Sequence, residues 1–174
     1  MAPPDDFRAR LLAWRREQEA DLRAPDGWLS VVALVWLEEG DTPLPEPHRA
    51  HGHLRRTGDI VFWHPAAGSP RPLRPDTEPP ADVVALGGVR MQLLRRGARL
   101  GVRLRDPGSP HRTGFRGRLW YPPEPRWRID AAFHPYPKGR TLGITNVLGD
   151  VQQVPCPGYA TFEAAGERCR LETW

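Results

Sequence analysis

The stretch Arg99–Pro122, RLGVRLRDPGSPHRTGFRGRLWYP, holds the densest set of reactive groups in this chain: six arginines, with Asp106, Ser109 and His111 among them. A guanidinium presents a flat fork of donors suited to bidentate contact with a carboxylate or phosphate. Arg103, Arg105 and Arg112, with Asp106 to orient them, therefore predict a site for an anionic organic ligand, with Trp120 as an aromatic wall. A structural role competes with this one. Asp106 and Arg112 can staple the corner Asp106-Pro107-Gly108-Ser109-Pro110 while the other arginines form a solvated strand face. The same corner suggests a hydrolase-like alternative, with Asp106 or His111 as acid or base near Ser109. Bunched within six residues, these groups do not easily reach nucleophile, base and orienter geometry, and no catalytic residue is assigned.

The elements that must carry these arginines are strands. Leu100, Val102 and Leu104 alternate with Arg99, Gly101, Arg103 and Arg105, so one face is apolar and the other cationic. Val89, Met91 and Leu93 repeat the apolar phase upstream, and Arg95-Arg96-Gly97-Ala98 reads as the turn of a hairpin. A two-residue loop at Arg96-Gly97 sets Arg90 opposite Arg103. Like charges so placed are destabilising and call for a carboxylate, a ligand anion or solvent between them. A longer loop would shift the register. Beyond the corner the apolar pattern restarts at Phe115, Leu119, Trp120 and Tyr121.

Around this centre, residues 5–23 predict the one long helix, with Asp5 or Asp6 as cap and Phe7, Leu11, Trp14 and Leu22 toward the core. Residues 28–37, WLSVVALVWL, read as a buried strand in preference to a short helix, with Trp28 and Trp36 on one face as packing residues. From Asp41 to Asp82 the chain reads as connection, with short strands near residues 52–55 and 59–63 and a proline-rich surface loop over 65–80. His51 and His53 lack a third ligand nearby, so no metal site is predicted. Residues 126–136 read as a strand. Residues 143–148 and 150–154 form a hairpin through Gly149-Asp150, and residues 159–163 and 168–171 form another around Ala165-Gly166. The expected fold is mostly β, an antiparallel barrel or sandwich of short strands with one N-terminal α-helix, in a single domain spanning residues 1–174.

Composition narrows the function classes. The net charge of +4 and a pI near 9.7 invite a nucleic-acid reading, but Lys138 is the only lysine. A chain rich in Arg, Ala, Gly and Pro reflects GC-rich codons, and neither a helix-turn-helix nor a ribonucleoprotein signature is present, so nucleic acid is not expected as a partner. Cys156 and Cys169 form no CxxC pair and read as reduced thiols. The first residues, MAPPDDFRAR, lack a hydrophobic signal region and no apolar run reaches the length of a membrane span, which predicts a cytoplasmic protein. No motif calls for a cofactor.

A resemblance also runs through the chain. Gly27-Trp28-Leu29 through Trp36-Leu37-Glu38-Glu39-Gly40, then Val102-Arg103-Leu104-Arg105-Asp106 with Ser109-Pro110 and Arg112, form its first half. Phe115-Arg116-Gly117, Trp120-Tyr121-Pro122, Ala131-Ala132-Phe133, Leu142-Gly143 and Pro157-Gly158 with Phe162 complete it. Together they resemble the bacterial family of unknown function DUF1684, over most of residues 27–163. The resemblance implies an uncharacterised protein and names no activity. It also implies a further segment, with Thr-Tyr, Leu-Asp-Phe-Asn and Cys-Pro-Pro elements, which this chain lacks. A sheet without those strands would expose an edge, and a homodimer would cover it. Three readings follow: a small-molecule-binding domain holding an anion on the arginine cluster, a hydrolase-like enzyme, and a structural or protein-interaction domain. The first is preferred.

Overall fold

The computed structural model describes residues 4–145 and 151–174. Helix α1 (Pro4–Arg23) forms on the predicted residues, with Pro4 in its first turn, where the missing N–H costs no hydrogen bond. The chain divides into two compact units, one of residues 13–120 and one of residues 1–12 with 121–174.

Within residues 13–120 the strands are β1 (Val31–Trp36), β2 (Gly40–Pro43), β3 (Gly52–Thr57), β4 (Ile60–Pro65), β5 (Arg71–Leu73), β6 (Val83–Leu86), β7 (Val89–Arg96) and β8 (Arg99–Arg105). They make two four-stranded sheets, in the orders β1-β8-β7-β6 and β2-β3-β4-β5, with every neighbouring pair antiparallel. Leu54, Val61, Trp63 and Leu73 from one sheet join Met91, Leu93, Leu100, Val102 and Leu104 from the other in a single buried cluster. Two sheets sharing one core make a sandwich-like layering, and none of the sheets among the described residues closes, which removes the barrel alternative. The alternation of β8 sends its apolar residues into this core. Leu100, Val102 and Leu104 are buried while Arg103 and Arg105 stay half-exposed. Each apolar side chain so buried contributes about 1.5–3 kcal/mol.

The β7–β8 turn differs from expectation by one residue. Arg96 pairs with Arg99, so the loop is Gly97-Ala98 and Gly97 takes φ +59°. A two-residue hairpin loop needs positive φ at its first position, and glycine supplies it there without steric cost. Arg90 consequently faces Arg105, and Arg103 faces Gln92.

Other local expectations change as well. Trp28–Ser30 is a turn of 3-10 helix ahead of β1, so Trp28 does not share a strand face with Trp36. Trp14 is 47% exposed, packed edge-on against Trp120 at 5.6 Å between ring centroids instead of entering the core. The proline-rich loop contains β5, which pairs along β4 through Val61–Leu73; strand β2 falls almost entirely in the stretch read as connection, and β6 follows it where no element was expected. Residues 115–124 form no strand, because three glycine or proline positions and tethers to α1 take the place of a ladder.

Residues 121–174 carry β9 (Ala132–Pro135), β10 (Thr141–Thr145), β11 (Val151–Pro155), β12 (Gly158–Ala164) and β13 (Glu167–Thr173). Strands β10 and β11 pair with each other, and β12 lies between β13 and β9. Only the end of the strand read over 126–136 is extended, after a 3-10 turn at Pro125–Trp127. The predicted Gly149-Asp150 connection lies outside the described residues. The β12–β13 loop is Ala165-Gly166, with φ +51° and +82°, the two positive values that a type I′ turn requires. Both cysteines are free, and the buried Cys156 thiol donates to Glu172 Oε2 at 3.5 Å. No described helix is long and apolar enough to cross a membrane.

Candidate functional site

The arginines of β8 stand on the sheet face opposite the core. Arg103 lies between Leu34 of β1 and Gln92 of β7, and Arg105 between Val31 and Arg90. Arg105 Nη1 donates to Gln92 Oε1 at 3.0 Å, whereas its buried Nε has no acceptor. A buried donor left unpaired is costly, on the order of 1–3 kcal/mol. The Arg103 guanidinium lies over the Trp28 ring, 4.9 Å from its centroid, and makes neither an ion pair nor a hydrogen bond among the described residues. Burial, followed by the charges of Arg105 and Arg96, lowers the Arg103 pKa below its ordinary value, with Asp76 pulling the other way. Arginine stays cationic even so.

These groups open onto a cleft of about 470 Å³, whose lining includes Arg103, Arg105, Arg118 and Trp28. Gln18, Asp21 and Leu22 on the last turns of α1 line the same cleft, with Asp26 and Gly27 from the turn that follows. That turn is held tightly: Gly27 N–H donates to Ala24 O at 2.9 Å, and the buried Ser30 hydroxyl donates to Gly27 O at 2.7 Å. Trp28 is left 69% exposed beside the arginines.

The other residues predicted for the site, Asp106, Arg112 and Trp120, are not in the cleft lining. Asp106 Oδ1 accepts the Gly108 N–H at 2.7 Å, and its own N–H donates to Ser30 O at 2.7 Å. The bracing of guanidiniums expected of Asp106 is absent among the described residues. Its carboxylate shapes the corner. Arg112 donates from Nε to Arg23 O at 2.6 Å and from Nη1 to Pro107 O at 2.7 Å. It thereby closes the carboxyl-terminal end of α1, where a cation also meets the negative end of the helix dipole. Trp120 donates from Nε1 to Glu19 Oε1 at 2.8 Å, and the same carboxylate accepts the Arg118 N–H at 3.1 Å. The Trp120 and Arg118 hydrogen bonds hold the Glu19 pKa below its ordinary value. Asp106, Arg112 and Trp120 thus fix the two ends of the frame in which Arg103 and Arg105 are displayed.

The corner itself presents no acid–nucleophile pair. Ser109 is fully buried, its hydroxyl has no hydrogen-bond partner, and its carbonyl starts the short helix α2 (Pro110–Thr113), while His111 is exposed. Among the described residues no group of three or more His, Cys, Asp or Glu side chains could hold a metal. Sequence reasoning missed Asp21, Asp26 and Arg118, and placed Trp28 in packing. The usable signal was the Ala24-Pro25-Asp26-Gly27 turn, which ends the helix and folds Trp28 back toward β8.

Residues 113–174 match the model of the family described as protein of unknown function (DUF1684). The motifs from Phe115 to Phe162 fall inside that match; those from Gly27 to Arg112, including the arginines of β8, lie outside it. No curated protein and no solved structure matches the chain.

Proposed function

We propose that this protein is a small-molecule-binding β domain that holds an anionic organic ligand in the cleft, on the guanidiniums of Arg103 and Arg105. The observation that carries the reading is the convergence of Arg105 and of an Arg103 without ion pair or hydrogen bond among the described residues on one cleft, beside an exposed tryptophan face. Cleft sites with an apolar wall and a few convergent polar groups are the usual setting for small ligands. Arg103 and Arg105 contact the anion, Trp28 supplies the flat wall, and Asp106 and Arg112 act through the corner without touching the ligand. The hydrolase-like alternative gains nothing from the buried Ser109.

The test is a thermal-shift and calorimetric screen of small organic carboxylates and phosphates, with Arg103→Ala run alongside. A ligand that binds the folded state raises its melting temperature. Losing one charged hydrogen bond of about 1.5–3 kcal/mol weakens binding roughly tenfold to hundredfold. A variant that melts normally while binding every ligand as tightly as the parent sinks the reading. Absence of any anion-dependent shift in the parent protein does the same and favours a structural or protein-interaction role.

A further inference from the structure

The cleft has walls of opposite charge. The sheet wall carries Arg103 and Arg105, with the Trp28 ring against Arg103; the helix wall carries Asp21 and, from the turn after it, Asp26, with Leu22 as an apolar member; Arg118 also lines the cleft. Opposite charges that share a cleft ordinarily close on each other, yet none of these four groups forms an ion pair among the described residues. The nearby carboxylate that does pair is Glu19, which the Arg118 N–H, Trp120 and Arg23 already occupy. The carboxylates of Asp21 and Asp26 and the guanidiniums of Arg103 and Arg105 therefore line one cleft without closing on each other.

A simple anion would satisfy only one wall. Entering beside Asp21 and Asp26, it would meet repulsion that partly cancels the attraction of the arginines. A ligand bearing a carboxylate at one position and an ammonium at another satisfies both walls at once. We infer that, granted the anion-binding reading above, the ligand is a zwitterion of the amino-acid type, its carboxylate on Arg103 and Arg105, its ammonium toward Asp21 and Asp26, and its apolar part on Leu22 and Trp28. The Arg103 guanidinium fixes the carboxylate end, because it lines the cleft with neither an ion pair nor a hydrogen bond among the described residues. The exposed Asp21 and Asp26 contribute mainly discrimination, rejecting ligands that lack the cation.

Three compounds that differ by one group each separate the possibilities: phenylalanine, 3-phenylpropionate, which lacks the ammonium, and phenethylamine, which lacks the carboxylate. Binding of each is measured by calorimetry to the parent, to Arg103→Ala and to the double variant Asp21→Asn, Asp26→Asn, whose folding is checked by thermal melting. The inference expects phenylalanine to bind about tenfold or more tightly than either analogue, and the double variant to erase its advantage over 3-phenylpropionate. If 3-phenylpropionate binds as well as phenylalanine, and only Arg103→Ala weakens both, the zwitterion is overturned while the anion site stands. If no compound binds the parent, this inference falls, and the outcome of the wider anion screen decides whether the anion reading falls with it.

Discussion

Replacing Gly27 by alanine tests whether the turn after α1 is packed as tightly as its hydrogen bonds indicate. Gly27 has φ −70°, so an added Cβ meets no backbone penalty of its own. The cost is close approach alone. That Cβ would lie 2.3 Å from Asp21 O, 2.9 Å from Leu22 O and 3.1 Å from Ala24 O, all backbone atoms that no rotamer change can move aside. Relief requires the turn to lift off the end of the helix, stretching the Gly27-to-Ala24 and Ser30-to-Gly27 hydrogen bonds. Overpacking costs about 1–3 kcal/mol, and two weakened hydrogen bonds add roughly 1 kcal/mol each, so Gly27→Ala should destabilise by about 3–5 kcal/mol. Gly88→Ala is the control: nothing lies within 4 Å of its added Cβ and its φ is not in the left-handed region. It should be neutral, or stabilising by about 0.4–1 kcal/mol through the unfolded chain. Urea denaturation of the parent and both variants gives the comparison, with the slope checked for constancy. A Gly27→Ala variant within about 0.5 kcal/mol of the parent would refute the close approach and the cleft wall built upon it.

Two further outcomes are expected. Arg112→Ala removes two charge-assisted hydrogen bonds to carbonyls, and, because the side chain is partly solvated, should cost about 1–3 kcal/mol in urea denaturation; an unchanged midpoint would remove its capping role. Asp76 lies under Arg96 at 2.8 Å and accepts the Arg95 N–H at 3.0 Å. Burial opposes ionisation there, but the Arg96 and Arg95 hydrogen bonds outweigh it and hold the pKa below the usual 3.8. A folded-state pKa lowered in this way gives stability that is present above 3.8 and lost as the pH falls below it. Asp76→Asn should therefore be less stable than the parent at neutral pH, with the gap closing as the pH falls below 3.8, read from urea midpoints; a pH-independent gap would contradict the assignment.

The part of the fold that local pattern controls was legible. Alternation in β7 and β8, the Ala165-Gly166 turn and the spacing of apolar residues in α1 all carry their own geometry, and the elements formed there. What the pattern could not supply was set by distant partners. Strand β5 exists because β4 offers it an edge, despite the prolines around it. Residues 115–120 look strand-like, yet Glu19, about one hundred positions earlier, takes the Arg118 N–H and the Trp120 indole out of any ladder. In the site, the arginines of β8 announced themselves through density and phase. Asp21 and Asp26 did not, because isolated carboxylates on a helix end look like any solvated surface until the chain folds them opposite β8. Asp106 and Arg112 illustrate the reverse case: their residue types suit an anion site, and backbone groups claim them first.

Arg112 holds the corner to the end of α1 by grasping the carbonyl oxygens of Arg23 and Pro107. A carbonyl belongs to every residue. Positions 23 and 107 can therefore exchange side chains freely without loosening the clasp, provided the path of the main chain stays put. Paired substitutions between 112 and either position would leave no correlated trace among relatives, although the physical dependence is direct. The join between helix and strand corner is thus written in one residue's identity and in the course of two stretches of backbone.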